Sequence, residues 1–224
     1  FTRAKELQPD HQNSYYNLGL IKKEQGLDEE AVELLLKVLD INPEHNRGKY
    51  RVSVIKFDNG FLEESKKYLQ EILISDEKHE GAAKYLAFIA LKQVRFQEVW
   101  KYYEYRWKVS PGNKEIWPFE DKPLWSGEEG KRVALWREQG IGDDIIFLSL
   151  VSEVQEMSSS LSVYVDPRLH SLCRRAMPEI NFVNDIEELK EVECEYHLPL
   201  GSVPGLIRND ISDFDRTVRG YLKA

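Results

Sequence analysis

Apolar positions recur at helical spacing along the first half of the chain, and the whole pattern recurs every 34 residues. Tyr15, Leu18 and Gly19 share one helical face. Gly26 then turns the chain, and Ala31, Leu35 and Val38 share a second face before Pro43 stops it. Shifted by the period, Leu18 falls on Val52 and Leu86, Leu35 on Leu69 and Tyr103, Gly26 on Gly60, and Pro9 on Pro43. His11, His45 and His79 also fall on one position. Such a period predicts stacked helix pairs. Full units are expected over residues 12–45, 46–79 and 80–110, after a partial unit over residues 1–11 that looks cut at its start. Small residues stand where the paired helices must cross: Gly19 with Ala31, Ser53 with Ser65, and Ala87 with the looser Val99.

The third unit closes with FQEVWKYYEYRW, residues 96–107, in which Phe96, Trp100 and Tyr103 share a face suited to burial against something larger. Residues 111–125 have no periodicity and read as a linker pinned by Trp117, Phe119 and Trp125. From residue 126 the pattern changes. Short apolar runs at 133–136, 161–166, 180–183 and 195–199 predict strands, with helices expected over 144–157 and 168–176. Strands alternating with helices imply a parallel sheet.

Charge changes this picture in one respect. Residues 1–110 carry 18 basic and 18 acidic side chains, whereas residues 111–224 carry 13 and 21, so the whole net charge of −8 lies in the second half. That half repels a phosphate backbone, and no nucleic-acid role is expected. No apolar run is long enough to span a membrane. Cys173 and Cys194 lack CxxC spacing, and the N-terminus lacks the apolar core of a signal peptide, which points to a reducing, cytoplasmic setting. No metal is expected. Stacked repeats stand about 10 Å apart, too far for the three periodic histidines to share one ion.

REQGIGDDIIF, residues 137–147, leaves the first strand and opens the first helix of the α/β part, at the carboxyl edge where such sheets bind ligands. Gly140 and Gly142 supply two glycines of a dinucleotide fingerprint, but Ile145 stands in place of the third. Asp143 and Asp144 also bring negative charge to the helix start that a phosphate would occupy. Two readings stay open for Asp143: a helix cap, or a positioned general base. Glu138 and Arg137 flank the same cleft, Glu138 as a holder of the loop through backbone N–H groups. His197, near a strand end, is a further candidate to line it.

The first half resembles a tetratricopeptide repeat (TPR) array, on Tyr15, Leu18, Gly19, Ala31 and Pro43, with Lys49 and Glu77 as departures in later units. The resemblance implies an α superhelix whose inner, first-helix surface holds a protein or peptide. The matching positions are Tyr16, Leu20, Lys23, Arg47, Tyr50, Val54, Phe57, Lys84 and Phe88.

The whole chain resembles a bacterial family of TPR proteins fused to a glycosyltransferase-like domain. Pro123, Trp125, Gly127, Glu128, Gly130, Lys131, Glu138, Gln139, Gly140, Gly142 and Asp143 carry the likeness. Gly142-Asp143 is also similar to the Gly-Asp step of heptosyltransferases, although LSLV stands where those enzymes have a proline. This implies a Rossmann-like α/β half-domain over residues 126–224. Asp143 would act as base on an acceptor hydroxyl, with Glu138, Gln139, Gly140 and Gly142 forming the acceptor-cleft loop. A nucleotide-sugar donor would belong to a second half beyond Ala224, and the chain alone is expected to be inactive. A non-catalytic TPR scaffold is the alternative.

Overall fold

The computed structural model describes residues 11–109, 117–216 and 221–222. The expected partial repeat falls almost wholly outside these residues, as does most of the Gly/Pro-rich stretch before Trp117. The chain divides into two compact units, Phe1–Gln93 and Val94–Ala224.

Among the described residues, the first unit contains five helices: α1 (Gln12–Glu24), α2 (Asp28–Ile41), α3 (Asn46–Asp58), α4 (Leu62–Ser75) and α5 (Glu80–Lys92). Ala31, Leu35, Val52 and Ile55 pack into one buried cluster, as the period requires. The helix crossings are close where small residues were expected. A Cβ on Gly19 would meet Leu35 Cγ at 2.9 Å, and the Ser65 hydroxyl donates to the Ser53 carbonyl at 2.8 Å. Lys49, at the place of Tyr15 in the first repeat, is buried and pairs with Glu71 at 3.1 Å.

Repeated turns carry the same chemistry. Gly26 and Gly60 have φ of 75° and 83°, and each ends its helix with paired backbone bonds, Leu27 N to Lys22 O at 2.9 Å and Gly26 N to Lys23 O at 3.0 Å in the first case. Two of the periodic histidines, His45 and His79, cap helices through their rings, whereas the His11 ring meets the Ser14 hydroxyl at 2.9 Å. Nδ1 of His45 accepts the Gly48 N–H at 2.9 Å, and Nδ1 of His79 accepts the Ala82 N–H at 3.1 Å, which puts the ring proton on Nε2. Each capping ring also packs on a tyrosine of the first helix of its own repeat, His45 on Tyr16 of α1 at 5.5 Å and His79 on Tyr50 of α3 at 5.1 Å.

The second unit begins with α6 (Phe96–Tyr103) and α7 (Arg106–Val109). Its sheet contains β1 (Lys131–Trp136), β2 (Ser158–Tyr164), β3 (Asn181–Phe182) and β4 (Tyr196–Pro199), all parallel, in the order β3-β2-β1-β4. The helix expected over 144–157 starts three residues earlier and breaks, giving α8 (Ile141–Leu148) and α9 (Val151–Met157). Apolar periodicity runs through the break at Ser149–Leu150 and hid it. Helices α10 (His170–Ala176), α11 (Ile186–Glu191) and α12 (Val203–Ile207) complete the unit. Leu135, Val151, Val154, Val163 and Cys173 lie in one fully buried core, and Ala134, Trp136, Val183 and Leu189 lie in another.

The expected third repeat is divided between the units. Helix α6 packs within the second: the Trp100 indole N–H donates to the Arg208 carbonyl, and the Phe96 ring stands 4.7 Å from that of Phe214. The compact boundary therefore falls between Gln93 and Val94, earlier than the linker expected over 111–125. Residues 123–125 run along β4, with His197 N to Pro123 O at 3.2 Å and Trp125 N to His197 O at 2.9 Å. The Trp125 indole donates to Glu128 O at 3.0 Å, and the Glu128 carboxylate accepts from Ser126 N at 3.0 Å and Ser126 Oγ at 2.7 Å. The Pro-x-Trp-x-Gly-Glu stretch is thus an edge segment and its turn.

Candidate functional site

Strand order reverses direction at β1, whose neighbours are β2 and β4, and the loops leaving β1 and β4 meet at that point on the carboxyl edge. Open α/β sheets bind ligands at this position. Here Glu138 fills it. Its side chain, 4% exposed, takes Arg106 Nη2 at 3.1 Å, Gln139 Nε2 at 3.3 Å and the Gly201 N–H at 3.4 Å. Arg106 also holds Glu104 and Ser202, each at 2.7 Å, and Gln139 donates to the Tyr103 hydroxyl. Burial raises the Glu138 carboxyl above the usual carboxylate range, with Arg106 opposing it. Burial likewise raises the Tyr103 hydroxyl.

Asp143 is half-buried and sits at the third position of α8, where its Oδ2 accepts the Gly140 N–H at 3.2 Å. Gly140, not Asp143, is the residue that precedes the helix. Asp143 therefore supplies the reciprocal half of a capping box, and the cap and the positioned acid are one geometry. Gly142 is exposed on the first turn of α8.

The buried acid of the pair is Asp144, which spacing alone did not single out. It accepts the Asp166 N–H at 2.9 Å and Arg137 Nε at 3.0 Å, and burial raises its carboxyl. Asp166 in turn pairs with Arg168 at 2.8 Å and Arg137 at 3.0 Å, and the Arg168 hydrogen bonds hold its carboxyl far below the usual range. Arg137 thus clamps two strand-end loops. Beside it, a cleft of about 450 Å³ is lined by Trp117, Arg137, Glu138, Gln139, Tyr164 and Lys190.

His197 does not line this cleft. It is fully buried, with Trp136 Nε1 donating to its Nδ1 at 3.0 Å and its Nε2 facing the Lys122 carbonyl at 3.2 Å. An indole N–H can only donate, so Nε2 carries the proton and the ring is neutral. Burial among Trp117, Phe119 and Trp136 lowers its pKa.

A second candidate surface lies on the first helices of the repeats in the first unit. The structure brings Tyr50, Phe57 and Phe88 together around Tyr85, with ring centroids 5.9, 5.1 and 6.0 Å from it. Lys92 stands 5.4 Å over Phe57 and Lys84 5.8 Å over Phe88, within cation–π reach. Tyr85 was missed because it falls one residue beyond Lys84 in the 34-residue frame. Its signal is the Tyr85-x-x-Phe88 step, one helical turn. Tyr16 packs on His45 instead, and Arg47 is exposed. Leu20, Lys23 and Val54 line a separate pocket of about 170 Å³ with Arg51. Lys23 is committed within its own unit, to Asp28 at 3.1 Å and Asp58 at 3.3 Å. Burial works to lower its pKa, but those bonds outweigh it and raise the ammonium.

The tetratricopeptide repeat family matches residues 12–45, the span of α1 and α2 with their turns. That segment is a tetratricopeptide repeat. Among curated proteins, FlbA of Caulobacter vibrioides is 33% identical over 100 residues, covering 42% of this chain and 16% of FlbA. The chain thus spans a small part of that relative. Among solved structures, a crystal structure of MamA is 17% identical over 50% of this chain and 65% of MamA, with a TM-score of 0.46. An O-GlcNAc transferase mutant of Thermobaculum terrenum is 15% identical over 82% of this chain and 36% of that one, with a TM-score of 0.44. Likenesses this distant carry nothing about the chemistry of the α/β unit. Among the described residues, no helix of this TPR-containing chain is long and apolar enough to cross a membrane.

Proposed function

We propose that the TPR unit binds a protein or peptide through the first-helix aromatic cluster and presents it to a glycosyltransferase-like α/β unit. The observation that carries this reading is the grouping of Tyr50, Phe57, Tyr85 and the 42%-exposed Phe88 beside the ammonium groups of Lys84 and Lys92. Aromatic faces next to cations suit an extended segment with apolar anchors and acidic side chains. Selection of a random peptide library on the whole chain tests it. Acidic peptides with an aliphatic or aromatic anchor should be enriched on the wild type and lost on Phe57→Ala with Phe88→Ser. Equal enrichment on both proteins would remove the claim.

In the α/β unit, the reading assigns Asp143 as the base on an acceptor hydroxyl, held in place by Gly140. The diphosphate of a nucleotide sugar does not fit the start of α8, where the Asp143 carboxylate already takes the Gly140 N–H. The donor is therefore assigned to residues other than these. A transfer assay on the full-length protein with Asp143→Asn separates catalysis from scaffolding. Loss of transfer with an unchanged melting temperature supports the base, and unchanged transfer removes it.

A further inference from the structure

An open cleft of about 630 Å³ lies in the second unit; it shares Trp117 with the cleft beside Arg137 but contains none of residues 137–144. The chain has five tryptophans, and four of them, Trp100, Trp107, Trp117 and Trp125, line this one cleft. The indole N–H groups of Trp100 and Trp125 are already taken by the carbonyls of Arg208 and Glu128. Trp125 is fully buried and forms the floor, so the ring carbon surface open to a ligand is that of the part-exposed Trp100, Trp107 and Trp117. Gln97, Lys101, Glu104 and Asn209 line the same cleft with amides and charges of both signs.

This combination narrows the ligand. Glu104 is already paired with Arg106 at 2.7 Å and Lys101 is exposed to solvent, so the cleft holds no buried, unpaired charge that would select an ion. A purely apolar occupant would cover the polar groups without pairing them, which is unfavourable for each. A neutral ring with C–H faces and hydroxyl edges satisfies both kinds of lining at once. The volume lies within the usual range for small-ligand sites, roughly 300–1,000 Å³. We propose that this cleft is a carbohydrate-binding site for a neutral hexopyranose unit, stacked on the part-exposed tryptophans and hydrogen-bonded by the polar groups. The proposal stands on the cleft alone and does not depend on Asp143 or on transferase activity.

The test uses the whole chain with methyl β-glucoside and N-acetylglucosamine, followed by tryptophan fluorescence and saturation-transfer NMR. Gly205 lines the cleft, and a Cβ built there would stand 3.4 Å from Trp100 Cβ, so Gly205→Leu fills the space without removing a contact. Both sugars should shift the fluorescence, with transfer strongest at ring C–H protons. Gly205→Leu should weaken binding by about tenfold or more, equivalent to about 1.4 kcal/mol, at an unchanged far-ultraviolet spectrum. Lys101→Ala, at an exposed position, should weaken it several-fold and guards against misfolding of the filled variant. Three results would overturn the proposal: neither sugar bound, sugar binding indifferent to both variants, or cyclohexanol bound in their place.

Discussion

The Gly201 backbone lies directly against the Glu138 carboxylate: its N–H donates to Oε2 at 3.4 Å, and a Cβ on residue 201 would overlap Oε1. Glu138 is held from the other side by Arg106, so it has little room to retreat. Gly201→Ala should destabilise the chain by about 1–3 kcal/mol through overpacking, read as a lower urea midpoint. Most of that loss should vanish in a Glu138→Ala background. An equal loss in both backgrounds would show that the close approach is not the cause.

His45 and His79 act as caps. His45→Ala should cost about 1 kcal/mol, the usual effect of losing a cap, and His45→Asn should recover most of it. Thermal denaturation of the two variants checks this. Identical behaviour of Ala and Asn would leave the ring contact with Tyr16 as the important one.

Val94 occupies the turn position held by Gly26 and Gly60 in the preceding repeats, with φ of 57°. A β-branched residue is strained there. Val94→Gly should raise stability by about 1 kcal/mol, visible as a higher melting temperature. A lower one would show that the valine side chain contributes more than its backbone strain costs.

His197 makes stability depend on pH. Its folded-state pKa is lowered by burial, so below the unfolded value of 6.5 the unfolded chain binds the extra proton. Stability from this residue is present above pH 6.5 and is lost as pH falls towards the folded pKa, by at most about 1.4 kcal/mol per pH unit. His197→Gln can keep both hydrogen bonds and cannot titrate. Urea midpoints at pH 7.5 and pH 5.5 should fall further for the wild type than for the variant. Equal falls would contradict the neutral, buried ring.

Much of this architecture was legible in residue order. The 34-residue period located the helix pairs of the first unit because each repeat buries the same face. The four strands followed from short apolar runs, although β1 and β2 begin earlier than expected, at Lys131 and Ser158, where polar residues still pair. What sequence could not supply were meetings between distant segments. Trp117, Phe119 and Trp136 enclose His197 from separate stretches of chain, and Arg106 reaches Glu138 from a helix assigned to the repeats. Asp143 and Asp144 are adjacent in sequence, yet one holds the start of a helix and the other is buried against Arg137 and Asp166. Helix phase decides that difference, and Gly140 sets the phase by preceding the helix.

The most direct test of the account is calorimetric titration of a library-selected acidic peptide into the whole chain and into its Phe57→Ala, Tyr85→Ala variant. Removing these two rings, which meet edge to face, should weaken binding by at least about tenfold, with the melting temperature of the α/β unit unchanged. Undiminished affinity in the variant would contradict a first-helix aromatic surface as the binding site.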